Sequence, residues 1–380
     1  MLRLFCLLCA IMWLAACSSN KEKEEDKVAK LVKFTNTISV DRVWKASSGS
    51  SSGRRYKQIV PIVVNDVVYS ADATGAVFAF HKESGKRLWK TDLDVKISGA
   101  TGAGFGLVMV GTIDADVVAI DATNGEVKWT SKASSEVLSA PATNGSIVVA
   151  QTIDGRVFAY DAKTGETRWS YDHLTPILSL RGTSGPVVTT TQVICAFDNG
   201  QIVSFSALDG SRLWEARVAQ PKGKTDLERI VDIEGNVVVD SGVVYAVSYQ
   251  GNVAALARGK GNPIWSKTAS SFYPVAVDQG KVFVSTDKSK VIAYNAASGD
   301  VLWENNQLQN REINGPAVIG DYVAVIDKDD YMHVMSQQDG SFVYRFKPKG
   351  DKFKSPMVSD DGKLYILSDD SVLSVYEVGK

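Results

Sequence analysis

The sequence predicts an all-β protein, an eight-bladed β-propeller of four-stranded antiparallel blades, and three observations carry that expectation. One eleven-residue phrase recurs along the chain, each repeat divides into four short apolar runs parted by glycine turns, and the two chain ends hold complementary fragments of one more repeat. Self-similarity at a period near forty residues, with four strands per period, marks a propeller.

The phrase is clearest as Ala79-Phe-His-Lys-Glu-Ser-Gly-Lys-Arg-Leu-Trp89, Ala119-Ile-Asp-Ala-Thr-Asn-Gly-Glu-Val-Lys-Trp129 and Ala159-Tyr-Asp-Ala-Lys-Thr-Gly-Glu-Thr-Arg-Trp169. Weaker copies end at Trp214, Trp265, Trp303 and Tyr344, and in all seven a glycine stands four residues before the aromatic. Successive aromatics lie 38 to 45 residues apart, stretched to 51 once. Within the third repeat, Pro141 opens an inner strand, Asn144-Gly145 turns the chain, and 147–152 forms an apolar strand. Asp154-Gly155 then turns it again before a strand over 156–160, and Lys163-Thr164-Gly165 leads into the outer strand that carries Trp169. Glycine supplies the positive φ these turns require, and β-branched and aromatic residues fill the strands. No unit contains a ten-residue stretch of helical periodicity, which excludes an α-solenoid.

The chain ends decide the blade count. Three strands are expected around 353–358, 363–368 and 372–377, with no outer strand after them. The start of the chain has the opposite surplus, an outer strand over 37–45 with Trp44 at the aromatic position. Pairing the two completes an eighth blade, closes the ring by hydrogen bonds and removes exposed edges.

The chain is expected to divide into a cleaved leader (1–16), an acylated cysteine and charged flexible tether (17–30), and the propeller (31–380). Arg3 precedes an apolar run from Leu4 to Leu14, a secretory signal too short for a membrane span. The run ends in Leu14-Ala15-Ala16-Cys17, which resembles a bacterial lipobox and makes Cys17 the expected lipidation site; an ordinary signal peptide with a chance cysteine is the alternative. Ser18 and Ser19 follow, with no Asp beside the cysteine to retain the protein at the inner membrane. By that resemblance the acyl chains enter the inner leaflet of the outer membrane and the body faces the periplasm.

Forty-two basic and forty-three acidic residues nearly cancel, so no global field points to nucleic acid. Of four cysteines only Cys195 belongs to the body, where it reads as a buried strand thiol. His81, His173 and His333 are scattered without metal-ligand spacing and read as structural or surface residues. No P-loop and no H-E-x-x-H occurs. Acids such as Asp72, Asp114 and Asp154 sit at turn positions, where side-chain hydrogen bonding to the backbone explains them.

Two connections stand out. Trp169 to Pro186 spends seventeen residues and Trp214 to Val237 twenty-three, and the two leave neighbouring blades from one face. Leu174-Thr-Pro-Ile177-Leu178-Ser-Leu180-Arg181-Gly182 places apolar side chains in a loop, and Ile230-Val-Asp232-Ile-Glu234 puts two carboxylates at i and i+2. Apolar anchors beside an arginine and acids have the composition of a protein-binding hot spot; the bland alternative is that the leucines fold back onto the blade.

The phrase A-x-D-x-x-T-G-x-x-x-W resembles the tryptophan-docking motif of quinoprotein dehydrogenases. That resemblance would imply pyrroloquinoline quinone and Ca²⁺ in the central funnel, yet no Cys-Cys pair occurs and little chain is left to roof a cofactor. No cofactor and no enzymatic activity are therefore expected; a dehydrogenase-like enzyme and a general peptide-binding hub are the alternatives. The lipobox, the W-motif blades, the Leu178-Ser-Leu180-Arg181-Gly182 run and the Asp232/Glu234 pair together resemble the BamB family, lipoproteins of the outer-membrane β-barrel assembly machinery. The resemblance implies that Leu178, Leu180, Arg181, Asp232 and Glu234 contact a POTRA domain of a BamA-like insertase. It also implies a non-catalytic role in handing over unfolded outer-membrane proteins. The second acid of the pair is usually Asp in that family, so Glu234 departs from the pattern.

Overall fold

Each repeat folds as a four-stranded antiparallel meander, and a computed structural model describing residues 27–50, 59–180 and 182–379 contains eight such sheets. Blades one to seven occupy 62–92, 102–132, 142–172, 187–217, 238–268, 276–305 and 317–346. Blade eight is built from both chain ends: Val358–Asp360, Lys363–Leu367 and Val372–Val378 are followed in space by Val40–Ser47, antiparallel to Val372–Val378 with Trp44 opposite Val375. The ring is closed as expected. The outer strand starts at Val40, three residues later than the sequence suggested, because Thr37 donates its N–H to Val343 of blade seven instead.

The recurrent phrase has a geometric explanation. In the third blade Trp169 lies opposite Ala159, with a register irregularity just beyond that pair, and the same arrangement sets Trp89 against Ala79 and Trp129 against Ala119. A small residue across the strand leaves the indole free to lean onto the next blade. There it donates to a backbone carbonyl: Trp129 Nε1 to Ala162 at 3.0 Å and Trp265 Nε1 to Ala296 at 2.8 Å. The glycine of the next blade lies beneath the indole; at Gly165, φ is +76° and an added Cβ would stand 2.8 Å from the Trp129 ring. Asp161 fixes the turn before it by accepting the N–H groups of Lys163 and Thr164 at 2.8 and 3.0 Å.

The hydrophobic core consequently lies between blades. Ile147, Val149, Val157 and Trp169 of blade three form one cluster with Val193, Cys195, Val203 and Phe205 of blade four. Cys195 is buried there, and desolvation pushes its thiol pKa up. Burial of this kind stabilises by about 25 cal/mol per Å² of apolar surface, so each blade depends on its neighbour.

Ahead of the closing strand, a strap of chain lies against blade seven. Ala29 donates to Gln309 at 2.9 Å, Asn310 Nδ2 donates to the Lys27 carbonyl at 3.1 Å, and Arg311 donates to the Ala29 carbonyl at 3.1 Å. Arg345 donates to the Val32 carbonyl at 2.8 Å, and its guanidinium lies over the rings of Phe34 and Phe342. Both arginines converge on a buried pair: Arg311 Nε and His333 Nε2 meet Asp327 Oδ2 at 2.7 and 2.9 Å, while Arg345 Nε donates to His333 Nδ1 at 3.0 Å. Lys27 and Ala29, within the stretch expected as tether, are thus hydrogen-bonded to the connection that precedes blade seven. No helix among the described residues is long and apolar enough to cross a membrane.

Candidate partner-binding site

In a meander of four strands, the turn between the second and third strands and the connection to the next blade share one face. On that face the connections 173–186 and 218–237 lead into blades four and five. The first is anchored at its start by His173, whose ring stacks on Phe197 at 4.0 Å and meets Asn199 Nδ2 at 2.9 Å. Burial lowers the His173 pKa. The chain then turns outward and leaves Leu174, Ile177 and Leu178 exposed by 91%, 98% and 40%, with Leu180 half-buried beneath them. The leucine-rich segment does not fold back onto the blade.

The second connection is held from within. Glu228 accepts the N–H groups of Lys224 and Thr225 at 2.7 and 3.1 Å, ahead of a single 3-10 turn at Leu227–Arg229. Ile230, Val231 and Ile233 are buried, and this apolar run draws Asp232 in with it, leaving the residue 0% exposed. Asp232 Oδ2 accepts the backbone N–H of Leu180 at 2.5 Å, and the Asp232 carbonyl accepts that of Tyr249 at 2.9 Å. Four residues on, Asn236 Oδ1 accepts the N–H of Gly185 at 2.6 Å. Glu234, half-buried, lies beside Gly182, where an added Cβ would stand 2.5 Å from its Oε1. The two connections predicted to matter are therefore one joined structure.

This placement changes what Asp232 can do. Read from sequence, Asp232 and Glu234 were both expected as contacts to a partner; the structure puts the Asp232 side chain beneath the loop, with no surface to offer. Its carboxylate organises Leu180 and thereby the apolar residues above. Burial pushes the Asp232 pKa up to about 6. Asp198, in the turn of blade four, is buried beside it and takes a hydrogen bond from the Ser179 hydroxyl; burial first, then the Asp232 charge, raises it to about 7. Arg181 and Cys17, both singled out by the sequence, lie outside the described residues.

The sequence reading counted Leu174 and Ile177 among the apolar anchors of this loop but did not carry them into the partner-contact residues that the resemblance implies; they are the most exposed apolar side chains of the loop. It also missed Asp198, which looks like any other turn acid in the repeat. Among the described residues no three His, Cys, Asp or Glu side chains converge as metal ligands.

A closed ring of blades that presents an apolar loop on one face, held by the neighbouring connection, is the architecture of a protein-interaction propeller. Residues 35–105, 73–305 and 287–380 match the family described as outer membrane protein assembly factor BamB. The chain is 40% identical over 372 residues to the outer membrane protein assembly factor BamB of Pseudomonas aeruginosa, covering 98% of both. Among solved structures, BamB from Moraxella catarrhalis superposes with a TM-score of 0.81 at 25% identity, over 89% of this chain and all of that one. The quinohemoprotein alcohol dehydrogenase of Comamonas testosteroni shares the fold alone, with a TM-score of 0.68 at 13% identity over 90% of this chain and 77% of that one. The chain belongs to the BamB family of outer-membrane protein assembly factors.

Proposed function

We propose that this chain is a non-catalytic scaffold of the outer-membrane β-barrel assembly complex. It binds the periplasmic POTRA region of a BamA-like insertase and assists delivery of unfolded outer-membrane proteins. The observation that carries this reading is the joined pair of connections, in which buried carboxylates hold a loop that exposes Leu174, Ile177 and Leu178. A desolvated apolar centre ringed by charge is how protein interfaces concentrate binding energy. Glu234, half-buried beside the loop, supplies a charge at its edge, and Arg181 is a further partner contact implied by the family resemblance.

Cys17 holds the protein to the inner leaflet of the outer membrane through its acyl chains, with the propeller in the periplasm. Ten residues carry the chain from Cys17 to the docked Lys27, at most ~35 Å of extended backbone, so the propeller stays close under the membrane. The test is affinity purification of the tagged protein from solubilised outer membranes, with identification of what accompanies it; absence of the insertase ends the reading. Labelling with a radioactive fatty acid, lost in Cys17→Ala, checks the anchor separately.

A further inference from the structure

The turn between the second and third strands is capped alike in seven of the eight blades. A side chain at one fixed position, Asp72, Thr112, Thr152, Ser248, Thr286, Asp327 or Ser368, hydrogen-bonds to the backbone four residues on. In blade four this position is Phe197, whose ring stacks on His173, and the acid stands one residue later as Asp198. Displaced from turn duty, Asp198 meets the Ser179 hydroxyl, while Asp232 from the next connection meets the N–H of Leu180. Two buried carboxylates on different blades thus hold two consecutive residues of the exposed apolar loop.

We propose that Asp198 is a positioning residue for the partner site, acting with Asp232 as a two-carboxylate clasp that fixes Ser179 and Leu180. This inference rests on the reading of that loop as the partner site. The pair faces few other charges: Glu234 shares the connection of Asp232, and His173, with Glu215 and Arg217 facing it, lies at the start of the other. Arg181 is outside the described residues. Burial of both acids, and for Asp198 also the Asp232 charge, favours their protonated forms, so the docked loop binds more protons than a loop lifted away, whose acids return to the ordinary carboxylate range. Docking is accordingly strongest below the ordinary carboxylate range, weakens as pH rises from there, and levels off once Asp232 and Asp198 have ionised in the docked loop, at about 6 and 7. His173, shifted below its ordinary value, is already neutral across that window.

The experiment compares the mature wild type, Asp198→Asn and Leu180→Ala at pH 6 and pH 8. Two quantities are read: hydrogen-exchange protection of the segment around Leu180, corrected for intrinsic exchange, and affinity for the purified POTRA domains of the insertase from the same bacterium. In the wild type both fall together from pH 6 to pH 8, by up to about tenfold for one proton released near pH 7. Asp198→Asn retains an acceptor for Ser179 but cannot ionise, so between pH 6 and pH 8 it loses far less protection and affinity than the wild type, only the small part due to Asp232. Equal pH dependence in wild type and Asp198→Asn overturns the clasp, as does a wild type whose protection ignores pH. Should Leu180→Ala bind as the wild type does, the site reading fails instead, whatever the protection shows.

Discussion

The Trp44 indole donates to the Lys82 carbonyl at 2.6 Å, so the earliest strand of the ring is bonded to the blade after it and completes the blade before it. Its ring packs with Tyr365, Leu373 and Val375 of blade eight and with Val68 and Phe80 of blade one. Gly85, at φ +65°, passes so close that an added Cβ would stand 2.6 Å from the indole. Trp44→Ala is expected to lower stability by about 3–5 kcal/mol, the range for a large buried aromatic. Gly85→Val should also destabilise, through both the backbone and the indole. Thermal unfolding measures both, and a Trp44→Ala melt matching the wild type would show that the ring does not depend on this closure.

The strap makes a second prediction. Arg345→Ala removes the hydrogen bond to Val32, the stacking on Phe34 and the partner of His333 Nδ1 in one step. Limited trypsin digestion should then cut at Lys30 and Lys33 much faster than in the wild type, while the blades resist. Equal cleavage in the two proteins would mean that Arg345 does not hold the strap.

Blade number and ring closure were legible because each propeller repeat solves the same packing problem with the same residues. A small residue must face the indole, a glycine must lie beneath it, and an acid or hydroxyl must cap the turn. Trp44 is assignable to blade eight from sequence because it lies on an outer strand without inner ones. The strap was not legible: residues up to 30 read as a charged tether, while the chain from 27 on is held by Arg311 and Arg345, hundreds of residues away, through a His333–Asp327 pair with no local signature. The candidate loops were found by length and composition. The inward turn of Asp232 was not, because a spacing of i and i+2 cannot say which side of an irregular segment is buried; the flanking Val231 and Ile233 decided it.

Asp232 therefore separates positioning from contact. Asp232→Ala leaves the Leu180 N–H without its acceptor, a loss of about 1–3 kcal/mol for a buried group, and partner affinity should fall although this side chain reaches no surface. Asp232→Asn keeps an acceptor oxygen and should bind far better than the alanine variant. Affinity and melting temperature measured on both variants check this, and equal weakening in the two would return Asp232 to direct charge recognition.

The exposed loop carries the last prediction. Ile177 and Leu174 are almost wholly in solvent and Leu178 partly so, and none contributes to a cluster that spans two blades. Replacing them should leave the melting temperature nearly unchanged, since surface substitutions away from the core fall within about 0.5 kcal/mol. Binding should respond strongly. Ile177→Asp places a charge in the centre of the apolar patch and should abolish measurable binding of the POTRA domains. Leu178→Ala and Leu180→Ala should each weaken it by about 2 kcal/mol, roughly thirtyfold, without steepening its salt dependence. Arg181→Glu and Glu234→Gln change charge, which at an interface edge governs encounter rate and response to salt more than dissociation; the charge reversal at Arg181 should be the more damaging of the two. Affinity across a salt series, with a melt for each variant, distinguishes these effects. Intact binding by folded Ile177→Asp would move the partner site off this loop, and loss of stability with unchanged binding per folded molecule would make Leu178 and Leu180 packing residues.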